Sequence, residues 1–159
     1  RFVADLSNSP IPYADASFDL VVCKDVFEHL LNPIYTLSEI KRVLKADGLL
    51  LLHVPNHFPI IGRLKFLFAN DIDTFSFFKE DSRWTFPHIR FYEHRDMLRV
   101  ISKHGFSLVS DLSHHFPAIP LLSRFKNIQP LLKFLVIRYP NQFASGFTLL
   151  VKKNRINSP

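Results

Sequence analysis

SFDLVVCKDVFEHL, residues 17–30, joins two kinds of sequence. Phe18 to Cys23 is a short apolar run, with the length and composition of a buried strand. Immediately after it, Lys24, Asp25, Glu28 and His29 fall within six residues. Ionisable groups just past a buried strand are a chemical signal, because open α/β sheets bind ligands outside the carboxyl ends of their strands.

The rest of the chain extends this pattern. Residues 1–4 read as the tail of a strand that ends at Asp5, and residues 7–17 as a loop punctuated by Pro10 and Pro12. Asn32 and Pro33 open a helix as N-cap and first helical residue. Ile34, Leu37, Ile40 and Leu44 share one of its faces, Lys41, Arg42 and Lys45 suit its C-terminal end, and Gly48 is expected to stop it. Leu49 to Val54 is apolar without alternation, as in a strand covered on both faces. Glu93 to Lys103 reads as a second helix with Met97, Leu98 and Ile101 inward and Gly105 at its end. Phe106 to Leu112 and Gly146 to Lys152 read as strands, and residues 114–142 as Pro-punctuated with short helical pieces. Strands alternating with helices indicate a Rossmann-like, doubly wound α/β fold. Its sheet is expected to be mostly parallel, with the last two strands as an antiparallel edge pair.

Bulk composition narrows the function classes. A chain of 159 residues fits one domain with a real core, and 47% hydrophobic with 21% charged residues argues against disorder. Cys23 is the only cysteine, so no internal disulfide forms and a reducing, cytoplasmic location is expected. No twenty-residue apolar span occurs, and Leu131 to Ile137 is too short and carries Lys133. The net charge of +6 is spread without a run of five basic residues, so no nucleic-acid partner is expected, while peripheral contact with an anionic membrane stays open.

The segment from Ala4 to Asn56 resembles the middle of a class I S-adenosylmethionine-dependent methyltransferase. It is most similar to the broad group containing the ubiquinone- and menaquinone-pathway methyltransferases. The likeness rests on the acidic Asp5, the Ile11-Pro12-Tyr13 loop, Ser17-Phe18-Asp19 opening a strand, Glu28-His29-Leu30, and the Arg42-Val43-Leu44-Lys45-Ala46-Asp47-Gly48 helix end. HIRFYEHRDMLRVISKHGF, residues 88–106, is similar to the next helix of that family. The sequence has no G-x-G, the loop on which such enzymes hold the methionine end of the cofactor. The resemblance therefore implies a C-terminal part of a methyltransferase domain, with the first two strand–helix units absent from it.

The resemblance also implies roles. Asp5 would accept a hydrogen bond from the adenine amino group, with Leu6 beside the ring. Lys24, Asp25 and Val26 would line the methionine end, although a lysine beside a sulfonium is unfavourable unless it points away. His29 is the candidate acid/base residue, since an imidazole can take a proton from an acceptor hydroxyl; the alternative is catalysis by proximity alone. S-adenosylmethionine would be the cofactor, and a small or lipid-linked molecule the acceptor. A non-catalytic module that kept the fold and lost the cofactor loop is the competing reading.

Other residues read more plainly. Asp19 is expected to be structural, Cys23 a buried strand residue, and His114-His115 a surface pair. Pro55, Asn56 and His57 either meet the acceptor or turn the chain. No metal is expected: Pro55 between His53 and His57 rules out the helix that would align them. His94-Arg95-Asp96 lacks the asparagine that would make it a kinase loop, with Ile101 in its place. Residues 58–92 hold ten of the 22 aromatics and form an insertion or lid, suited with Arg63, Lys65 and Arg83 to an amphiphilic acceptor, or a satellite core.

Overall fold

A computed structural model describes residues 5–69, 88–115, 117–119 and 124–154. The reading of residues 1–4 as a strand tail lies outside them. So do Phe75, Phe77, Phe78, Arg83, Trp84 and Phe86 of the expected lid.

The strands are β1 (Phe18–Lys24), β2 (Leu44–Pro55), β3 (Phe106–Asp111) and β4 (Gly146–Lys153). The helices are α1 (Pro33–Val43), α2 (Ile60–Ala69), α3 (His94–Lys103), α4 (Gln129–Arg138) and the short α5 (Pro140–Phe143). The sheet order is β1-β2-β4-β3. β1 and β2 pair parallel, while β4 pairs antiparallel with both β2 and β3. The fold is Rossmann-like α/β, and the last two strands form the expected antiparallel pair at one edge, but the described sheet has one parallel pair and two antiparallel ones and so is not mostly parallel. One reversed strand, β4, enters between β2 and β3. Three of the four strands still run the same way, so Lys24, Pro55 and Asp111 all end at one edge of the sheet.

One face of the sheet carries the core. Leu50, Leu52 and Val54 of β2 stack beside Phe147, Leu149 and Val151 of β4, all fully buried. Leu37 and Ile40 of α1 and Met97 and Ile101 of α3 close over them. The other face is less covered: Leu20 and Val22 of β1 are 50% and 59% exposed. β2 is thus buried fully on one face and partly on the other, not equally on both.

The caps explain the helices. Asn32 Oδ1 accepts from Tyr35 N at 3.1 Å, with Pro33 at the first position. α1 stops at Val43, earlier than its glycine suggests, because Leu44 already turns into extended backbone. Asp47, not Gly48, takes the left-handed conformation (φ 62°) in an irregular start to β2. Gly48 is needed for space, since a Cβ there would fall 3.0 Å from Lys45 O. Ile34 stays 40% exposed. Thr36 takes the inward place instead, its hydroxyl donating to Leu6 O at 2.6 Å.

Candidate active site

The edge where β1, β2 and β3 end collects most of the chain's unusual polar groups. Asp25 sits first past β1 with φ 52°, a conformation that asparagine and aspartate tolerate better than other residues with a Cβ. Its carboxylate lies between Lys24 Nζ, which it bonds, and His53 Nε2 at 3.4 Å. Lys24 therefore spends its charge on Asp25. His53 is held from behind by Thr148 Oγ1 at 2.7 Å. Burial lowers the His53 pKa and outweighs the upward pull of Asp25. Gly146 makes room for it: a Cβ there would stand 2.6 Å from His53 Cε1.

One turn further on lies a second cluster. Phe27–His29 forms a 3₁₀ turn that buries Glu28 to 1% exposure. Glu28 Oε1 stands 3.9 Å from His29 Nε2, and Oε2 is buried with no hydrogen-bond partner among the described residues. Burial raises the Glu28 pKa, against the opposing pull of a backbone hydrogen bond and His29. His88 comes in from the far side of the aromatic segment, its ring 4.7 Å from that of His29. His57, two residues past β2, bonds His88 through Nε2···Nδ1 at 2.7 Å.

The chain around His88 is strapped down. Ile89 N and Arg90 N donate to Glu28 O at 2.9 and 3.2 Å. The Arg90 guanidinium donates to the carbonyls of Leu30, at 2.7 Å, and Leu31. Tyr92 Oη donates to Phe27 O at 2.9 Å. The sequence reading missed His88, Arg90 and Tyr92. The available signal was His88 and Arg90 at the end of an otherwise aromatic stretch, read only as part of the expected lid and of the stretch similar to the next helix.

The other expected residues separate clearly. Asp5 Oδ1 accepts from Ser7 N at 2.9 Å, closing its own turn. That turn docks on the segment after β1 through Leu31 N to Ser7 Oγ at 3.0 Å. Leu6 packs against the core and Val26 precedes the 3₁₀ turn. Asn56 ties the end of β2 to α5 and its C-cap: its Nδ2 donates to Asn141 O at 3.0 Å and Ala144 O at 2.8 Å. Cys23 is buried and its thiol is pushed up to about 12, chiefly by burial, so it is no nucleophile at neutral pH. Asp19 pairs with Lys45 at 2.8 Å on the surface. His94 is used structurally, with Nε2 2.6 Å from Asp111 Oδ2. Among the described residues no helix is long and apolar enough to cross a membrane.

Residues 2–52, which contain β1, the 3₁₀ turn and the start of β2, match a family model described as a methyltransferase domain. An uncharacterized protein of Methanocaldococcus jannaschii is 46% identical over 46 residues, 29% of this chain and 20% of that protein. A chain from the "complex between the Haloferax volcanii Trm112 methyltransferase activator and the putative methyltransferase" superposes with a TM-score of 0.58 at 15% identity, covering 97% of this chain and 61% of that one. The [4+2]-cyclase SpnF superposes at 0.51 with 18% identity, covering 97% of this chain and 56% of that one. At these identities the superpositions establish the fold. The chain spans about a fifth of the curated relative and under two thirds of these two structures.

Proposed function

We propose that this chain forms the acceptor-facing part of an S-adenosylmethionine-dependent methyltransferase that methylates an oxygen or carbon. The observation that supports this most is the position of the polar cluster. Asp25, Glu28 and His29 lie within the methyltransferase-like span and at the carboxyl edge of the sheet. Asp5 accepts from the adenine amino group and Leu6 packs beside the ring. Lys24, Asp25 and Val26 border the methionine end, where the Asp25 carboxylate offsets Lys24 and removes the objection to a lysine near a sulfonium. A glycine-rich loop of a longer chain would hold the rest of the cofactor.

His29 takes the proton of an acceptor hydroxyl. The freed oxygen would then be placed for in-line attack on the methyl group that S-adenosylmethionine would supply when bound, the carbon–sulfur electron pair going to sulfur. The described parts of the aromatic segment, residues 58–69 and 88–92, would help to shape the acceptor pocket. In α2, Phe66, Leu67 and Phe68 are 60%, 68% and 80% exposed beside Arg63 and Lys65. That mixture favours an amphiphilic or lipid-linked acceptor, met in the cytoplasm at a membrane surface.

A cyclase shares this fold, so the test must read methyl transfer itself. In the full-length protein, Asp5→Ala should weaken cofactor binding about tenfold by calorimetry, or about 1.4 kcal/mol. His29→Gln should cut turnover roughly 10²-fold or more and leave cofactor affinity intact. A full-length protein that binds no S-adenosylmethionine would overturn the reading and favour a binding module.

A further inference from the structure

We propose that Glu28, His29 and His88 form a site for a first-row divalent transition-metal ion, with His57 as the positioning residue for His88. One ligand atom from each of the three lies within 4.8 Å of the others. The three come from a 3₁₀ turn after β1 and an irregular segment about 60 residues later in the chain. No spacing motif could have announced them.

Three observations converge on an ion. Glu28 is 1% exposed, and its Oε2 has no hydrogen-bond partner among the described residues. A buried carboxylate oxygen left so is costly, and a cation is what would offset it. The donor set is two imidazoles and one carboxylate, which suits zinc, iron or cobalt and not the all-oxygen preference of calcium or magnesium. Finally, His57 Nε2 and His88 Nδ1 lie 2.7 Å apart, a contact that orients the His88 ring. Metal-bound histidines are oriented in this way by a partner on their other nitrogen. The two backbone hydrogen bonds from residues 89 and 90 to Glu28 O keep the ligand segments in register before any ion arrives. Three protein ligands leave a coordination position open, as in catalytic zinc sites, and an ion held through His29 would polarise the acceptor hydroxyl in place of His29 acting as base.

The experiment needs neither cofactor nor acceptor, so its failure is separable from failure of the methyltransferase reading. The full chain, stripped with chelator, is titrated with Co²⁺ by visible absorption and with Zn²⁺ by calorimetry. Saturable 1:1 binding is expected, with d–d bands of histidine-bound Co²⁺ and a rise in melting temperature on adding Zn²⁺. Glu28→Gln, which is isosteric, and His88→Ala should each weaken binding at least tenfold. His57→Ala should weaken it roughly tenfold without changing the Co²⁺ band pattern, and His57→Gln, which still offers an acceptor to His88, should restore it. The tilted His114–His115 pair is the obvious competitor for added metal. The double change His114→Ala, His115→Ala should leave the affinity unaltered. Absence of saturable binding would overturn the site, and so would binding lost only in that double variant or unchanged in Glu28→Gln.

Discussion

Glu28 and Asp111 are two carboxylates at the same edge of one sheet, and their environments drive them in opposite directions. Burial acts on both and pushes both pKa values upward. At Asp111 it is outweighed by hydrogen bonds from His94 at 2.6 Å, from the Ser113 hydroxyl and from Ser113 N at 2.9 Å, and the carboxyl is held down to about 2. At Glu28 the His29 ring nitrogen stands 3.9 Å away, beyond hydrogen-bond reach, and the value stays raised, chiefly by burial. Burial sets the cost of a charge, and the partners decide whether the fold is stabilised by it. A third carboxylate, Asp25, is 44% exposed and paired with Lys24, so solvent screens it.

The same chemical change at these three positions should therefore give three different results. Asp111→Asn should have the largest effect. It should cost about 1–2 kcal/mol at neutral pH, after discounting for the third of the side chain that is exposed. The folded pKa is depressed, so the contribution is complete above the ordinary carboxylate value and is lost as pH falls towards about 2. Urea melts at pH 7 and pH 2.5 check this, and an equal deficit at both would show that shape, not charge, matters there.

Glu28→Gln should come next, with the opposite sign. In chelator-treated protein it should raise stability by roughly 1 kcal/mol at pH 7, because the buried charge is gone. Here the folded pKa is raised, so the penalty on wild type is absent below the ordinary glutamate value of 4.5 and grows as pH climbs above it. The gain should shrink to nothing in melts at pH 4. A loss of stability at pH 7 would mean that the metal-free protein satisfies Glu28 well, and that the contrast with Asp111 is false.

Asp25→Asn should change stability least, by less than about 0.5 kcal/mol, since asparagine also accepts the φ of 52° and the pair it breaks is exposed. A larger cost would show that the His53 contact at 3.4 Å matters more than its geometry suggests.

Much of the framework was legible from local pattern. The apolar runs of β1 and β2, the Asn32-Pro33 start of α1, the Met97 and Ile101 face of α3 and the left-handed Gly105 after it (φ 83°) all stand where periodicity and capping put them. The polar crowding after β1 marked the candidate site. Misreadings arose where a neighbour overrode a local preference. Gly48 read as a helix stop, but the turn into β2 puts the strain on Asp47. Ile34 fitted the apolar face, but the Thr36 hydroxyl took the inward place by bonding Leu6 O. About half of the expected lid, residues 70–87, lies outside the described residues.

The chain by itself determined which segments become strand or helix, because backbone hydrogen bonding repeats over a few residues and side-chain pattern follows that repeat. It also determined that ionisable groups would gather at the end of β1. Only the tertiary structure decided that β4 runs reversed between β2 and β3, and that His57 and His88 close on Glu28 and His29. Those contacts depend on strand register and on the strap from Ile89, Arg90 and Tyr92 to residues 27–31. Local periodicity says nothing about contacts between residues so far apart along the chain.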